Sequence, residues 1–256
     1  MAYHGPSQWL SAAALGLALS VATSTFAQQP AASIRSVTYY TVKTERAGDM
    51  AAAIREYNEV LKKARYRNSY TIWRSVTGPS DLAKVDMHQK WSELDQNAAD
   101  DPQLKEYRPD LVRISARIGE SFSSIRRVIE VIDQDLSLPR PEELPKLIAV
   151  WRLEIKPAKA QEFRDLVKDY ILPAQKAAGA KSFIFAQTRF GDNRDAVYVT
   201  HGMEAGWAAL DQPDPVIKAM GEEKFHAAAA KMADDIISRG YNVYRLDQDL
   251  SYTAPK

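Results

Sequence analysis

Residues 133–137 read Asp-Gln-Asp-Leu-Ser, and residues 247–251 read the same five letters. A second pair of strings occurs in the same order along the chain. Residues 91–96 read Trp-Ser-Glu-Leu-Asp-Gln, and residues 207–212 read Trp-Ala-Ala-Leu-Asp-Gln. Two matches in one order predict that a single structural unit is written twice in tandem.

The two copies align over most of their length. The shift between them is 113 positions over the first part of the unit, 116 at the tryptophan strings and 114 at the final five-residue string. Small length differences therefore fall between elements, where loops tolerate them. At a shift of 113, identical residues pair without a gap at five places: Val37 with Val150, Lys43 with Lys156, Tyr57 with Tyr170, Ser69 with Ser182, and His88 with His201.

Each copy carries the hydrophobic patterns of a β-α-β-β-α-β unit. β-branched and aromatic runs predict strands, and apolar residues at helical spacing predict helices. Turn residues at 78–81 and 191–193 predict a hairpin between the second and third strands. Pro173 is expected to bend or end the first helix of copy two early, and Gly240 is expected to end its last helix. The predicted elements of copy one, with those of copy two in parentheses, are a strand at 37–42 (147–155), a helix at 49–64 (161–178), strands at 69–76 (182–189) and 82–88 (196–201), a helical region from 91 to about 125 (207 to about 238), and a strand at 128–132 (241–246).

A signal peptide is predicted at residues 1–27. This segment contains no Asp, Glu, Lys or Arg, and its apolar run at 10–22 is shorter than the ~20 residues needed to span a bilayer. Small residues before Ala27 are typical of a cleavage site. The usual basic start is missing, so a wrongly assigned start codon or an uncleaved anchor stays an alternative. Cleavage after Ala27 implies a periplasmic or secreted protein. The expected domains are repeat 1 at 28–137, a proline-rich linker at 138–146 and repeat 2 at 147–252.

Composition excludes several kinds of function. The chain has no cysteine, which excludes disulfides, thiolate nucleophiles and cysteine-based metal sites. The formal net charge is +1 with both signs interleaved, so the sequence predicts no binding to nucleic acid, and none to a membrane once the signal is removed. No glycine-rich phosphate loop and no Gly-x-Ser-x-Gly motif occurs. The mature chain of about 230 residues is long enough for each copy to bury a core.

The tandem β-α-β-β-α-β pattern, with its aromatic-rich first strand, resembles the dimeric α/β-barrel superfamily, in which two ferredoxin-like sheets meet face to face. A four-stranded sheet with helices on one side leaves its other face bare, and a second copy in the chain covers that face. The resemblance implies an α+β fold: two tandem ferredoxin-like repeats packed sheet to sheet as an intramolecular dimeric α/β barrel. Members include cofactor-free monooxygenases, proteins of unclear role and haem enzymes of the chlorite-dismutase group, so the fold alone selects no function.

Side chains on the face between the two sheets are the predicted ligand-binding residues. Arg152 and Glu154 lie two apart on a strand, so they share a face. Tyr39 and Thr41 are their counterparts in copy one, and Trp73 is expected to project the same way. Together they predict a polar pocket with aromatic walls that binds a small organic molecule. The alternative is an ion pair between the sheets without a ligand.

Two histidines are the candidate catalytic residues. His88 and His201 align at the end of the third predicted strand, where each could act as a base. The alternative is a structural histidine that duplication copied. No cluster of further ligands surrounds either residue, so no metal site is predicted. His226 lies in the last predicted helix of copy two. Resemblance to the chlorite-dismutase group implies that a helical histidine of this kind is an axial ligand of haem, although no residue matches that group's distal arginine; a solvent-facing histidine is the alternative.

Three functions stay open from the sequence. In the first, the chain binds a small organic ligand between the sheets without chemistry. In the second, it is an oxygenase that needs no cofactor and uses His88 or His201 as a base. In the third, it is a haem protein. Only the third requires a cofactor, and further homo-oligomerisation is compatible with all three.

Overall fold

The fold is described for residues 34–78, 81–95, 100–191, 196–211 and 213–255 of a computed structural model. The predicted signal peptide at 1–27 lies outside these residues. Within the described part of the chain, no helix is both long and apolar enough to cross a membrane.

The described residues form strands and helices in an order that repeats. The strands are β1 (Ile34–Val42), β2 (Tyr70–Ser75), β3 (Asp81–His88), β4 (Phe122–Ile132), β5 (Leu147–Ile155), β6 (Phe183–Phe190), β7 (Ala196–Gly202) and β8 (Ile236–Tyr252). The α-helices are α1 (Ala47–Lys63), α2 (Arg108–Glu120), α3 (Ala160–Leu166), α4 (Leu172–Ala177), α5 (Pro215–Met220) and α6 (Glu222–Asp235). Short 3₁₀ segments include Trp91–Asp95 and Gly206–Asp211, and a π-helical turn spans Val167–Ile171.

The eight strands close into one antiparallel barrel. Their order around the barrel is β1-β3-β2-β8-β5-β7-β6-β4. Two ladders, β2 with β8 and β4 with β6, join strands that come from different halves of the chain. Because the sheet closes on itself, each of the eight described strands pairs with a neighbour on both sides. The protein is therefore a mixed α+β structure with helices packed on the outside of a barrel.

Apolar side chains on the outer face of the barrel bind the helices to it. In the first half, Met50 and Leu61 of α1 pack in one buried cluster with Ile72 of β2. In the second half, Phe163 of α3 packs in another with Leu153 of β5. The other side chains of each strand alternate toward the barrel interior, as the two-residue period of a strand requires.

The repeated five-residue strings connect each half to the other. At the end of β4, Leu136 is buried in the core of the second half, and Ser137 Oγ accepts a hydrogen bond of 2.9 Å from the backbone N–H of Phe185. Asp133 Oδ1 accepts bonds from the backbone N–H groups of Asp135 and Leu136, which forms the turn. The string at 133–137 therefore anchors the end of β4 to the second half, and we call it the first crossing motif.

The second crossing motif, 247–251, repeats these contacts in the opposite direction. Leu250 of β8 is buried in the core of the first half, and Ser251 Oγ accepts a hydrogen bond of 2.9 Å from the backbone N–H of Ile72. Asp247 Oδ1 accepts a bond from the backbone N–H of Leu250. Each half thus anchors its last strand in the other half by the same leucine and serine contacts. This shared role explains why the same five residues occur at both strand ends.

The last strands begin earlier than the sequence pattern predicts. The helical regions were expected to run to about residues 125 and 238, but α2 ends at Glu120 and α6 at Asp235. Gly240 therefore does not end a helix; it lies inside β8, opposite Arg152 of β5. Pairing with a neighbouring strand determines the structure of these residues. That pairing cannot be predicted from the helical periodicity of the local sequence.

Pro173 interrupts the second long helix without ending it. The π-helical turn at Val167–Ile171 precedes it, and α4 then continues to Ala177. A proline has no N–H and clashes with the carbonyl four residues earlier, and a wider π turn relieves both problems. The predicted bend is thus a π turn inside a helical segment.

Candidate functional site

The inner face of the barrel holds the residues that were predicted to bind a ligand. Tyr39 and Trp73 belong to a buried cluster that also contains Tyr198 and Tyr244, so aromatic rings from both halves meet in the interior. Val150 of β5 packs against the same cluster. All four rings are buried in this one cluster, so the interior is a packed core at this level.

The remaining predicted ligand residues also lie on inward-facing positions. Arg152 and Glu154 alternate with the outward Leu153, and Arg152 is opposite Tyr198 in the ladder. Glu154 Oε2 accepts a hydrogen bond of 2.9 Å from Ser238 Oγ. Thr41, two residues from Tyr39, is half-buried near the end of β1. The structure therefore brings all five predicted residues to one face of the sheet, and Glu154 is engaged by a neighbouring protein group.

Charged side chains inside the barrel were missed from the sequence. Arg35 Nε lies 2.6 Å from Glu130 Oε2, and this glutamate is fully buried. Arg126 lies with its guanidinium 4.3 Å from the centre of the Tyr39 ring and donates a 3.2 Å hydrogen bond to the Tyr198 hydroxyl. Burial, and then the negative charge of Glu130, hold the pKa of Tyr39 well above its ordinary value. Strand alternation places Arg35 on the face of Tyr39, so this signal was available in the sequence.

The two candidate catalytic histidines do not lie in the interior. Ala83 and Val85 of β3 face inward, so His88 lies on the opposite, outer face. His201 likewise alternates with the inward-facing Tyr198 and faces outward on β7. The pleat therefore turns both side chains away from the cleft between the sheets, where the sequence placed a candidate base.

His88 and His201 also do not occupy equivalent positions. His88 is opposite Ile34 in the ladder between β1 and β3, whereas His201 is opposite Ala149 in the ladder between β5 and β7. Ala149 corresponds to Ser36, which is opposite Asp86. The hairpin of the second half is longer, so the sequence alignment at constant shift slips by two residues at the third strand.

A group of polar side chains lies on the outer face of β1, β2 and β3, beneath α1. We call it the tyrosine cluster. Its members are Tyr40, Tyr57, Asn58, Tyr70, Lys84 and Asp86. Lys84 Nζ lies 2.6 and 2.7 Å from the two carboxylate oxygens of Asp86 and 4.7 Å from the centre of the Tyr70 ring. The Tyr70 hydroxyl donates to Asn58 Oδ1.

The tyrosines of this cluster are held in the neutral form. Burial, and then the nearby charge of Asp86, raise the pKa of Tyr40 to about 12. Burial is also the main reason that the pKa of Tyr57 is raised to about 12 and that of Tyr70 is raised further. The negative charge of Asp86 contributes to all three pKa shifts. At neutral pH they are hydrogen-bond donors and apolar ring faces.

His88 lies at the edge of the tyrosine cluster, two residues along β3 from Asp86. Its Nδ1 is 3.9 Å from Glu93 Oε2, and among the described residues its buried Nε2 has no hydrogen-bond partner. Burial lowers the pKa of His88, although Asp86 and Glu93 oppose that effect. A neutral imidazole at this position is able to accept a proton.

The second half has apolar side chains at three positions that belong to the tyrosine cluster in the first half. By the strand ladders, Leu153 stands at the place of Tyr40, Phe183 at the place of Tyr70 and Val199 at the place of Lys84. These three residues belong to or pack against the apolar core of the second half. The hydroxyls of Tyr40 and Tyr70 and the ammonium group of Lys84 are thus specific to the first half, whereas His201 stands at the place of Asp86.

The region around His226 does not fit a haem group. His226 is on α6, outside the barrel, and its ring contacts that of Phe225 edge-on at 5.8 Å. A cavity between the second sheet and α3, lined in part by Phe163 and Phe185, has a volume of about 20 Å³, which is room for one water molecule. In the described part of the chain, no three His, Asp or Glu side chains are grouped so that they could hold a metal ion.

Comparison with known proteins identifies the fold. No protein-family model and no curated protein matches the sequence. A monooxygenase-like protein from Lactobacillus acidophilus NCFM superposes with a TM-score of 0.57 at 10% identity, over 87% of this chain and 97% of its own. An anthrone oxidase-like protein superposes with a TM-score of 0.59 at 14% identity, over 89% of this chain and 95% of its own. A mutant chlorite dismutase from Candidatus Nitrospira defluvii reaches 0.50 at 8% identity, over 85% of this chain and 93% of its own.

The likeness to these structural neighbours supports the α+β barrel fold expected from the sequence pattern. The chain spans almost the whole length of each of them. At such low identities the likeness extends to the fold alone.

Proposed function

We propose that this chain binds a small aromatic molecule at the tyrosine cluster. The observation that carries the proposal is the ion pair of Lys84 and Asp86, which lies among tyrosine rings, whereas Val199 stands at the place of Lys84 in the second half. Replacing a partly buried ion pair with well-packed apolar residues is often neutral or favourable for stability. Stability therefore does not account for the pair, whereas a binding role does.

The chemistry of the cluster favours a planar ligand that bears hydroxyl or carbonyl oxygens. Tyrosine rings offer apolar faces for stacking. The side chains of Lys84 and Asp86 are 29% and 23% exposed, so solvent and solutes can reach them. A phenolic O–H could donate to Asp86 while a carbonyl or phenolic oxygen accepts from Lys84. Phenols and hydroquinones are therefore the proposed ligand class.

Calorimetric titration of the full chain with 1,4-naphthohydroquinone, kept reduced and free of oxygen, tests this proposal. Lys84→Met and Tyr70→Phe should each weaken binding, with a loss of about tenfold for each 1.4 kcal/mol of contact removed. Lys181→Met and Tyr241→Phe are the matched controls, because both side chains are exposed and lie outside the cluster. Equal affinity in all four variants would contradict the proposal.

A second candidate function is a cofactor-independent oxygenase that uses His88. The supporting observation is the neutral imidazole of His88, whose Nε2 has no partner among the described residues and lies beside the cluster. In such a reaction a ring CH₂ group and O₂ give a ring carbonyl and water, with His88 accepting the first proton. Oxygen uptake with anthrone should be lost in His88→Ala and kept in His201→Ala. Equal rates in both variants would remove this candidate.

The face between the sheets, where the ligand was expected from the sequence, is a weaker location. Tyr39 and Trp73 are buried in contact with other rings. A ligand could enter there only if an exposed side chain such as Arg126 moved away from Tyr39. Binding that is lost in Arg126→Ala and kept in Lys84→Met would favour this face over the tyrosine cluster.

We also propose that the chain arose from a tandem duplication of a ferredoxin-like unit. In support, each half has the strand order fourth-first-third-second around the barrel, and each ends in a crossing motif. Export to the periplasm or medium, with cleavage after Ala27, is part of the same proposal and rests on the sequence of residues 1–27. Mass spectrometry of the protein purified from its native cells should show a chain that starts at Gln28.

A further inference from the structure

Inside the barrel, the hydroxyl of Thr188 has no hydrogen-bond partner in the part of the chain that the structure describes. Thr188 lies on the inner face of β6 and is 1% exposed, and no hydrogen-bonding group of the described residues is within reach of its Oγ1. Leaving such a group unsatisfied costs about 1–3 kcal/mol. Buried polar groups of this kind are normally satisfied by an ordered water molecule.

Other polar side chains converge on the same region. Glu130 of β4 is paired with Thr188 in the ladder that joins the two halves. Arg35 of β1 donates to Glu130 Oε2, and its Nη1 reaches Thr200 Oγ1 of β7 at 3.4 Å. That last distance is near the outer limit for a hydrogen bond, so the guanidinium retains donor capacity. Glu130, with Arg35 bound to it, thus lies beside Thr188, whereas Thr200 is opposite Ile184, four residues along β6 from Thr188.

We propose that Thr188, Arg35 and Glu130 hold one water molecule inside the barrel, at a site separate from the tyrosine cluster. The charges of Arg35 and Glu130 balance, so the site favours a neutral ligand over an ion. Both donors and acceptors are available, and a buried water typically makes about three hydrogen bonds. The interior is then a hydrated polar core that ties the two halves together.

Two variants of Thr188 separate this proposal from an empty gap. Thr188→Val keeps the shape of the side chain but removes the hydroxyl, and Thr188→Ser keeps the hydroxyl. If water bridges Thr188 to its neighbours, Thr188→Val loses a hydrogen bond and should lower the melting temperature. If no water is present, the valine removes an unsatisfied group and should raise it. A higher melting temperature for Thr188→Val would therefore overturn the proposal.

A crystal structure at a resolution that shows ordered solvent gives the second measurement. The proposal expects a water molecule within hydrogen-bonding distance of Thr188 Oγ1 in the unaltered protein and in Thr188→Ser, and none at this position in Thr188→Val. Absence of water beside Thr188 in the unaltered protein would also overturn it. Circular dichroism of each variant confirms that the barrel is folded before the comparison is made.

Discussion

Truncation of Leu250 tests whether the crossing motifs join the two halves into one cooperative unit. Leu250 is 0% exposed and lies in the core of the first half, although it belongs to the last strand of the second. Leu136, 2% exposed, makes the reciprocal contact in the second half. Truncating a fully buried leucine to alanine costs about 2–5 kcal/mol. Each single variant is therefore expected to lose stability in that range.

Urea unfolding, followed in parallel by far-UV circular dichroism and tryptophan fluorescence, measures the effect. Leu250→Ala and Leu136→Ala should each move one common transition to lower urea, with the two probes coincident. Leu210→Ala is the matched control, because Leu210 is 64% exposed and its truncation should leave the midpoint in place. Two separate transitions, or a loss below roughly 1 kcal/mol for Leu250→Ala, would refute the reasoning.

Three further predictions concern the barrel and its surface. Arg35→Met leaves the fully buried Glu130 without its ion-pair partner and should cost about 3–5 kcal/mol in a urea titration, with Arg239→Met at an exposed position as control. Burial lowers the pKa of both His88 and His201 below 6.5, so the unfolded chain binds protons first as the pH falls. The free energy of unfolding should therefore be steady above about pH 6.5 and decrease below it, and a histidine-to-glutamine double variant should flatten this decrease. Gly191→Ala should destabilise the barrel, because φ is +91° there and a Cβ atom would lie 1.9 Å from a backbone carbonyl oxygen of β4; a melting temperature equal to that of the unaltered protein would contradict this.

The repeat in the sequence was sufficient to predict the order of the strands and helices. The duplicated string at 133–137 and 247–251 marked the ends of both units, and the alternation in β5 separated its inner and outer faces correctly. The start of β8 at Ile236 was not predictable, because residues 222–240 read as a continuous helix and only pairing with β5 converts their end to a strand. The local sequence shows helical periodicity, whereas pairing with a partner strand depends on the tertiary structure.

The register of the third strand was the point at which sequence alignment failed. His88 and His201 matched at a constant shift, but the longer hairpin of the second half moves β7 by two residues relative to its neighbours. A shift of two keeps every side chain on its original face. The hydrophobic pattern is therefore the same in both registers, and it could not indicate that the two histidines are not equivalent.

The candidate site was only partly accessible from sequence. Lys84, Asp86 and His88 alternate along one strand, which indicates a polar face, whereas the apolar Val199 stands at the place of Lys84 in the second half. The contrast between the halves was visible in the residues. The approach of Tyr57 to that face was not, because it depends on how α1 packs across β1 to β3.

Ring resonances of ¹³C-labelled tyrosine, recorded by NMR while 1,4-naphthohydroquinone is added, test the proposed site most directly. Binding at the tyrosine cluster predicts that the resonances of Tyr57 and Tyr70 shift with one saturating curve, while those of Tyr39 and Tyr198 inside the barrel stay in place. Shifts confined to Tyr39 and Tyr198 would put the ligand between the sheets and contradict the assignment of the site to the outer face.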